Sequence, residues 1–543
     1  MTELHLLWQP YRLFPYERRL AIWELTELTG QEPREAGDGL AVDADRLTPT
    51  QLGMLTRTTY FAAVVGSDGT RLVPDQARLE ASASLRATEA AEPEDSGKTA
   101  GIARQRTRYS THGLHEYRGK FNPQVVRTVG NLLGLASGAF VLDPFCGSGT
   151  TLVEGVHSGW STVGLDLNPL AVLISNAKLG LLRVDPATIR GQVTHLLARV
   201  RNDASGLSFE EPWSHEACCR LAGPGWPERL PNLPYLRRWF PEPVLAQFAY
   251  LLEVTSTITT EPVRAALLVI LSDLARGVSW QETEDLRIRR SKSPGRNAPL
   301  LPSFAAAVER RMGTALRAAA LLPPSPESRH LAIEADVRDD LGWVLAKIDS
   351  TGQQLFDAAI TSPPYATALP YIDTQRLSLA LLGLVRADEI MRLDKRLIGT
   401  REIATTERKL LEEELRWSDL LPSSIRELCV HMAELSPDPR NGFRRRNMAA
   451  LVFQYFRDMA IGLTQVRRLL RDGGTYALIV GPNQTVLSGQ QILIDTPGLL
   501  GELAEHAGEW QVRGLERLET YARYGLHHEN SIRTESLLVL ERR

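Results

Sequence analysis

Residues 139–169 read AFVLDPFCGSGTTLVEGVHSGWSTVGLDLNP. An apolar run ends on Asp143, Gly147 and Gly149 follow, and a helix-compatible stretch begins near Thr150. A second apolar run closes on Asp166, seventeen residues after Gly149. Strand, glycine turn, helix, strand is the texture of a parallel sheet covered by helices. Glycines at the turn let the backbone approach a ligand and adopt positive φ. The GK[ST] ending of a phosphate-binding P-loop is absent, and the spacing is not GxGxxG. A carboxylate at the end of the next strand is suited to accept hydrogen bonds from both ribose hydroxyls of a nucleoside cofactor.

Strand-like texture returns in HLAIEADV, FDAAITSPPY, GTYALIVGPN and ESLLVLERR, whereas Asp185 to Leu322 reads as mostly helical. The expectation is an α/β fold with a Rossmann-like parallel-core sheet and helices on both faces, interrupted by a helical insertion and preceded by a small α+β unit. That unit and a small, polar linker are expected over 1–105, with LHLLW and YFAAVV as strands around the helix-like RRLAIWELTEL. The first part of the sheet domain is expected over 106–184, the insertion over 185–325 and the second part over 326–543, with a charged helical insertion over 387–446. No internal repeat is visible.

A chain of 543 residues is long enough for more than one domain and a sizeable core. Hydrophobic residues make up 43%, yet no run reaches the roughly 18 apolar residues that a membrane span needs. The N-terminus carries charges where a secretory signal would be apolar, so a cytoplasmic protein without a membrane partner is expected. Four cysteines, Cys146, Cys218, Cys219 and Cys429, offer neither a disulfide framework nor a zinc-binding CxxC pair.

The formal net charge of -3 gives no global attraction to a polyanion, so any nucleic-acid contact must be local. One candidate patch is DLRIRRSKSPGR, with Arg287, Arg289, Arg290 and Lys292; the other is RNGFRRR, with Arg444, Arg445 and Arg446. Each is equally readable as a solvated loop. Trp213, Trp226, Trp239 and Trp280 lie in or near the first patch's helical block, where core packing competes with base contact as their role.

TSPPY, residues 361–365, follows the apolar run FDAAI. Two prolines lack N–H groups and fix φ, so they present carbonyls in a rigid frame without a competing donor. Ser362 adds a hydroxyl and Tyr365 a ring. Together with the glycine turn, this constellation is specific. DPFCGSGTT with GLDLNPLA resembles motifs I and II of the S-adenosylmethionine-dependent DNA amino-methyltransferases, and TSPPY resembles their motif IV. THGLHEYRGKFNPQVV resembles motif X, EADVRDD resembles motif III, and YIDTQRLSLALLGL resembles the helix after motif IV. The likeness covers about residues 106–190 and 330–543. The first hundred residues resemble, only vaguely, the N-terminal domain of some tRNA guanine methyltransferases.

The resemblance implies S-adenosylmethionine as cofactor, held by His115, Tyr117, Lys120, Phe121, Asp143, Phe145, Gly147, Gly149, Thr150, Asp166, Asn168 and, for the adenine amine, Asp336. It implies catalysis by Ser362, Pro363, Pro364 and Tyr365 on a base turned out of duplex DNA. SPPY is associated in that family mostly with N4-cytosine methylation, and the motif order resembles its α arrangement, with target recognition between the cofactor and catalytic motifs. N6-adenine methylation, an RNA substrate and an inactive binding subunit are the alternatives. Carbon-5 methylation of cytosine would need a nucleophile in a Pro-Cys dipeptide, which the sequence lacks. A prokaryotic, nucleoid-associated protein working beside a separate restriction endonuclease or defence partner fits this family. Recognition sequence and oligomeric state are not legible.

Overall fold

The computed structural model describes residues 3–83, 105–209, 213–282, 289–291, 298–348, 354–366, 371–519 and 534–543. The chain opens with β1 (Glu3–Trp8), β2 (Arg34–Glu35), β3 (Gly39–Asp43), β4 (Phe61–Gly66) and β5 (Arg71–Leu72). They form an antiparallel sheet in the order β2-β3-β1-β4-β5. Its helix, Pro15–Thr29, begins with proline at the first turn and Glu17 reaching back to the Phe14 N–H at 2.7 Å, and ends at Gly30 with φ +68°. Both ends therefore satisfy backbone groups that a bare helix leaves orphaned.

The central sheet comprises β6 (Phe140–Asp143), β7 (Ser161–Asp166), β8 (His330–Glu334), β9 (Phe356–Thr361) and β10 (Leu470–Val480), all parallel where they pair. A two-stranded hairpin, β11 (Asn483–Leu487) and β12 (Gln490–Ile494), follows β10. The chain returns through β13 (Trp510–Glu519) and β14 (Thr534–Arg542), β14 lying antiparallel to β10. The order β13-β14-β10-β9-β6-β7-β8 with this one antiparallel return is a Rossmann-like arrangement with a parallel core. Strand order reverses between β6 and β9, and a ligand crevice belongs at the carboxyl ends of the strands flanking such a switch.

Both faces of the sheet are covered. Leu142, Leu165, Ala359, Leu478 and Leu538 pack with helices Met448–Leu469 and Thr496–His506. On the other face Val141, Ala358, Ile360, Ala477 and Ile479 share one cluster with Val125, Val126 and Val129 of helix Pro123–Leu132 and with Leu20 and Leu25 of the N-terminal helix. The N-terminal unit is thus packed into the sheet's own core.

Between β7 and β8 run the helices Pro186–Ala204, Glu242–Ser256, Glu261–Leu274 and Leu300–Leu321. Trp226, Phe240, Phe248 and Phe304 are fully buried among them, so Trp226 is core. Between β9 and β10 lie Ile390–Arg396, Thr405–Glu414 and Ser423–Leu435, whose Leu411, Ile425 and Met432 join the sheet-side core. Among the described residues no helix is long and apolar enough to cross a membrane.

Candidate active site

The glycine turn is pinned from three directions. Asp166 accepts from the Gly147 N–H at 2.9 Å through Oδ2 and from the Asn168 N–H at 2.8 Å through Oδ1. From helix Pro169–Arg183, Ser175 Oγ donates to the Gly147 carbonyl at 3.0 Å and Lys178 Nζ to the Ser148 carbonyl at 2.6 Å. Gly147 (φ +48°) and Gly149 (φ +75°) occupy the left-handed region. A Cβ on Gly149 would stand 2.7 Å from Ser175 Oγ, and one on Gly147 would stand 3.2 Å from the Tyr117 ring. Both glycines are therefore demanded by backbone conformation and by space. Thr150 is buried at the start of the helix that follows.

Beneath the turn, Asp143 Oδ1 accepts the Thr361 hydroxyl at 2.5 Å and the Phe145 N–H at 3.2 Å. Thr361 is the last residue of β9, immediately before the serine-proline loop, so one carboxylate ties the two loops together. Asp143 Oδ2 is buried with no hydrogen-bond partner among the described residues. Burial raises the Asp143 carboxyl to about 6, against the hydrogen bonds that lower it. Asp166 is likewise pushed up, by desolvation first.

Beside these groups a cleft of about 750 Å³, open mouth included, opens at the carboxyl ends of β6, β7 and β9; Asp143, Gly149 and Thr150 are not in its lining. Tyr117, Phe145, Gly147, Asp166 and Asn168 line one part; Ser362, Pro363 and Pro364 line another. The turn and the serine-proline loop, 215 residues apart between Gly147 and Ser362, thus face one space. Tyr365 is half-buried beside them, its hydroxyl donating to Glu535 Oε1 at 2.8 Å.

Three residues of the motif X-like segment lie off the cleft. His115 is buried with Nδ1 3.6 Å from Asp273, Lys120 Nζ donates to the His112 carbonyl at 3.3 Å, and Phe121 packs on the core shared with the N-terminal unit. Burial lowers Lys120 to about 8. Asp273 also accepts the Glu116 N–H at 2.8 Å and pairs with Arg311 at 2.5 Å, so two insertion helices hold the segment that presents Tyr117.

Asp336 lines the cleft, but both its oxygens are engaged by the Arg338 guanidinium, at 2.8 and 2.7 Å. Burial acts to raise its carboxyl, and the Arg338 fork outweighs this and holds it low. A nucleobase amine would have to share that carboxylate with arginine. Arg338 further bonds Asp458 at 2.8 Å and the Arg396 carbonyl at 2.6 Å. Arg396, Leu397 and Ile398 consequently form a wall of the cleft, which nothing local in the sequence announces. Next to them Gly399, φ +79°, approaches so closely that a Cβ would lie 2.7 Å from the Tyr365 carbonyl oxygen. Lys178, Ser175 and Gly399 are the other residues that sequence reasoning missed; an apolar helix carrying Ser and Lys three apart gives a faint signal, and Gly399 gives none.

Of the candidate cations, Arg289 and Arg290 are exposed, and the Arg290 guanidinium sits 4.6 Å from the centroid of the Trp280 ring. Arg287 and Lys292 lie outside the described residues. Arg444, Arg445 and Arg446 are exposed. Cys146 is buried and its thiol pushed well up by desolvation, which removes it as a nucleophile.

No family model matches the chain. It is 23% identical over 421 residues to the type II methyltransferase M.MvaI of Kocuria varians, covering 75% of this chain and 84% of that one. It is 41% identical over 115 residues to M.MjaII of Methanocaldococcus jannaschii, 20% of each chain. It is 23% identical over 291 residues to M.BsoBI of Geobacillus stearothermophilus, 51% of this chain and 53% of that one. Both of the latter are type II methyltransferases too. Among solved structures, TrmN from Thermus thermophilus aligns over 100% of both chains with 12% identity and a TM-score of 0.32, a likeness too slight to bear on the fold. By sequence, then, the chain is similar to type II methyltransferases over three quarters of its length.

Proposed function

We propose that this protein transfers a methyl group from S-adenosylmethionine to the exocyclic N4 amine of cytosine in duplex DNA. The observation that carries the reading is the single cleft into which both the glycine turn with Asp166 and the Ser362–Pro364 loop open. The residues suit the cofactor. Asp166 keeps lone pairs beyond its two backbone bonds for ribose hydroxyls, Gly147 leaves space under the Tyr117 ring, and Asp143 holds the turn against the strand that leads into the serine-proline loop. S-adenosylmethionine supplies an electrophilic methyl group on a sulfonium.

The amine of cytosine is a poor nucleophile because its lone pair is delocalised into the ring. The Ser362 hydroxyl oxygen and the Pro363 carbonyl accept hydrogen bonds from its two hydrogens and favour the tetrahedral nitrogen as charge develops. Tyr365 offers a ring on which the turned-out base stacks, offsetting part of an unstacking cost of a few kcal/mol. Cytosine rather than adenine follows from the likeness of SPPY to the N4-cytosine enzymes. The deciding test is sequencing of DNA from cells expressing the protein: N4-methylcytosine supports the reading, N6-methyladenine moves the base, and modification of RNA alone removes DNA as substrate.

A further inference from the structure

The β11–β12 hairpin stands apart from both sheets and differs on its two faces. Leu487, Ile492 and Ile494 are buried in the sheet-side core. The opposite face carries two cross-strand pairs, Gln484 with Leu493 and Val486 with Gln491. All four are exposed, Leu493 by 63% and Val486 by 38%. Gln491 Nε2 donates to Gln484 Oε1 at 2.8 Å, so the two amides stand side by side between two aliphatic groups. This ribbon begins at the reaction site: the Asn483 side-chain amide donates to the Ala366 carbonyl, one residue past Tyr365. At its far end, Ser488 N–H donates to Asn441 Oδ1 at 3.0 Å, and the Asn441 carbonyl accepts from Arg446 Nε at 3.0 Å. Arg446 is thereby tied to the turn, and Arg444 and Arg445 precede it in the same short helix; all three are exposed, with no salt bridge to a carboxylate among the described residues.

We propose that this hairpin reads base edges in the major groove beside the modified base, with the three arginines on the adjacent phosphates; this rests on the duplex-DNA reading above. A two-stranded ribbon fits the major groove, a glutamine amide matches the N6 and N7 edge of adenine, and an aliphatic group matches the thymine methyl. Residues 484 and 486 are about 7 Å apart along an antiparallel strand, close to two base-pair steps of about 3.4 Å. Arginines without carboxylate partners complement the backbone and fix register without reading sequence. Sequence preference is thus assigned to an element after the catalytic loop, in addition to any contribution from the helices between β7 and β8.

The full-length protein and its Gln484→Ala, Gln491→Ala and Arg444→Gln/Arg445→Gln/Arg446→Gln forms would each methylate a duplex library randomised around a central site, read by sequencing for the modified base. The glutamine variants should lose about tenfold or more of the discrimination at one or two positions beside the target, with S-adenosylmethionine affinity unchanged. The arginine variant should keep the motif while weakening binding to all duplexes, its salt slope falling by about 0.9 for each phosphate no longer neutralised. A motif unchanged in both glutamine variants overturns the proposal and leaves the face to a protein partner. Absence of duplex modification by the unsubstituted protein overturns the DNA reading first and this inference with it.

Discussion

Thr361 donates to Asp143 at 2.5 Å, and Ser362 follows it into the cleft, so the acceptor proposed for the amine is fixed through its neighbour. Ser362→Ala removes that acceptor without touching the anchor. Turnover should fall by about 10² or more while cofactor and DNA affinities change little; full activity in a steady-state assay would exclude the role. Tyr365→Phe keeps the ring and loses the bond to Glu535, so it should be mild, whereas Tyr365→Ala should impair turnover and be partly rescued by a target opposite a mismatch, which costs less to unpair. Asp166→Ala should weaken S-adenosylmethionine binding by about 1.5–3 kcal/mol, the worth of a charged acceptor. Burial raises both Asp143 and Asp166 to about 6. Their protonated forms prevail below that value, so affinity for the cationic cofactor should rise as pH climbs through 6 and level off above it. In the absence of cofactor the sign for stability is opposite: a raised carboxyl contributes stability below its unfolded value of about 3.9 and loses it as pH rises through about 6. Calorimetric titration between pH 5 and 8 would show a pH-independent affinity if neither carboxylate meets the cofactor.

The strands that position the site are also those most legible in the sequence. β6, β7, β9 and the second half of β10 are largely buried on both faces, so they read as near-continuous apolar runs. β13, WQVRGLERLE, closes the sheet edge with Arg513, Gly514 and Leu515 exposed in succession, and its charges hide it among helical and loop segments. The hairpin signal was present as the Ser488-Gly489 turn, with φ +51° and +83°, a backbone that favours such a pair, but no pattern says that its outer face is left bare. Least legible is the wall at 396–399, because it is built by Arg338, already paired with its neighbour Asp336, gathering Asp458 and the Arg396 carbonyl from two distant segments. Gly399 belongs to this element and tests it. Gly399→Ala forces a side chain into left-handed backbone and against the Tyr365 carbonyl, so the serine-proline loop must move. Turnover should drop at least tenfold with S-adenosylmethionine affinity held within about twofold, since a 1 Å misplacement costs on the order of 10² in rate. Equal turnover in single-turnover kinetics would detach this segment from catalysis.

At the scale of the molecule, the small, polar stretch before residue 105 reads as a linker, yet composition cannot reveal whether the cores on its two sides are shared. They are. Glu24 of the N-terminal helix is fully buried and accepts from the Thr59 N–H at 2.9 Å, the Thr59 hydroxyl at 2.6 Å and Asn131 of helix Pro123–Leu132 at 2.8 Å. Arg57 donates to the Leu135 carbonyl at 2.6 Å, and Arg19 pairs with Glu516 of β13 at 3.0 Å. A chain cut to residues 106–543 would leave Asn131 unpaired and expose Val125, Val126, Val129 and the sheet residues behind them. Each large apolar side chain returned to water costs about 1.5–3 kcal/mol, so a handful equals the whole stability of an ordinary domain, about 5–15 kcal/mol. The truncated chain should therefore melt well below the full-length protein or without a cooperative transition, and should bind S-adenosylmethionine poorly, because helix Pro123–Leu132 follows the segment that carries Tyr117. Differential scanning calorimetry on both chains decides it: an unchanged Tm with unchanged cofactor affinity would make the N-terminal unit a detachable module, free to serve as a separate nucleic-acid contact rather than as part of the catalytic domain's core.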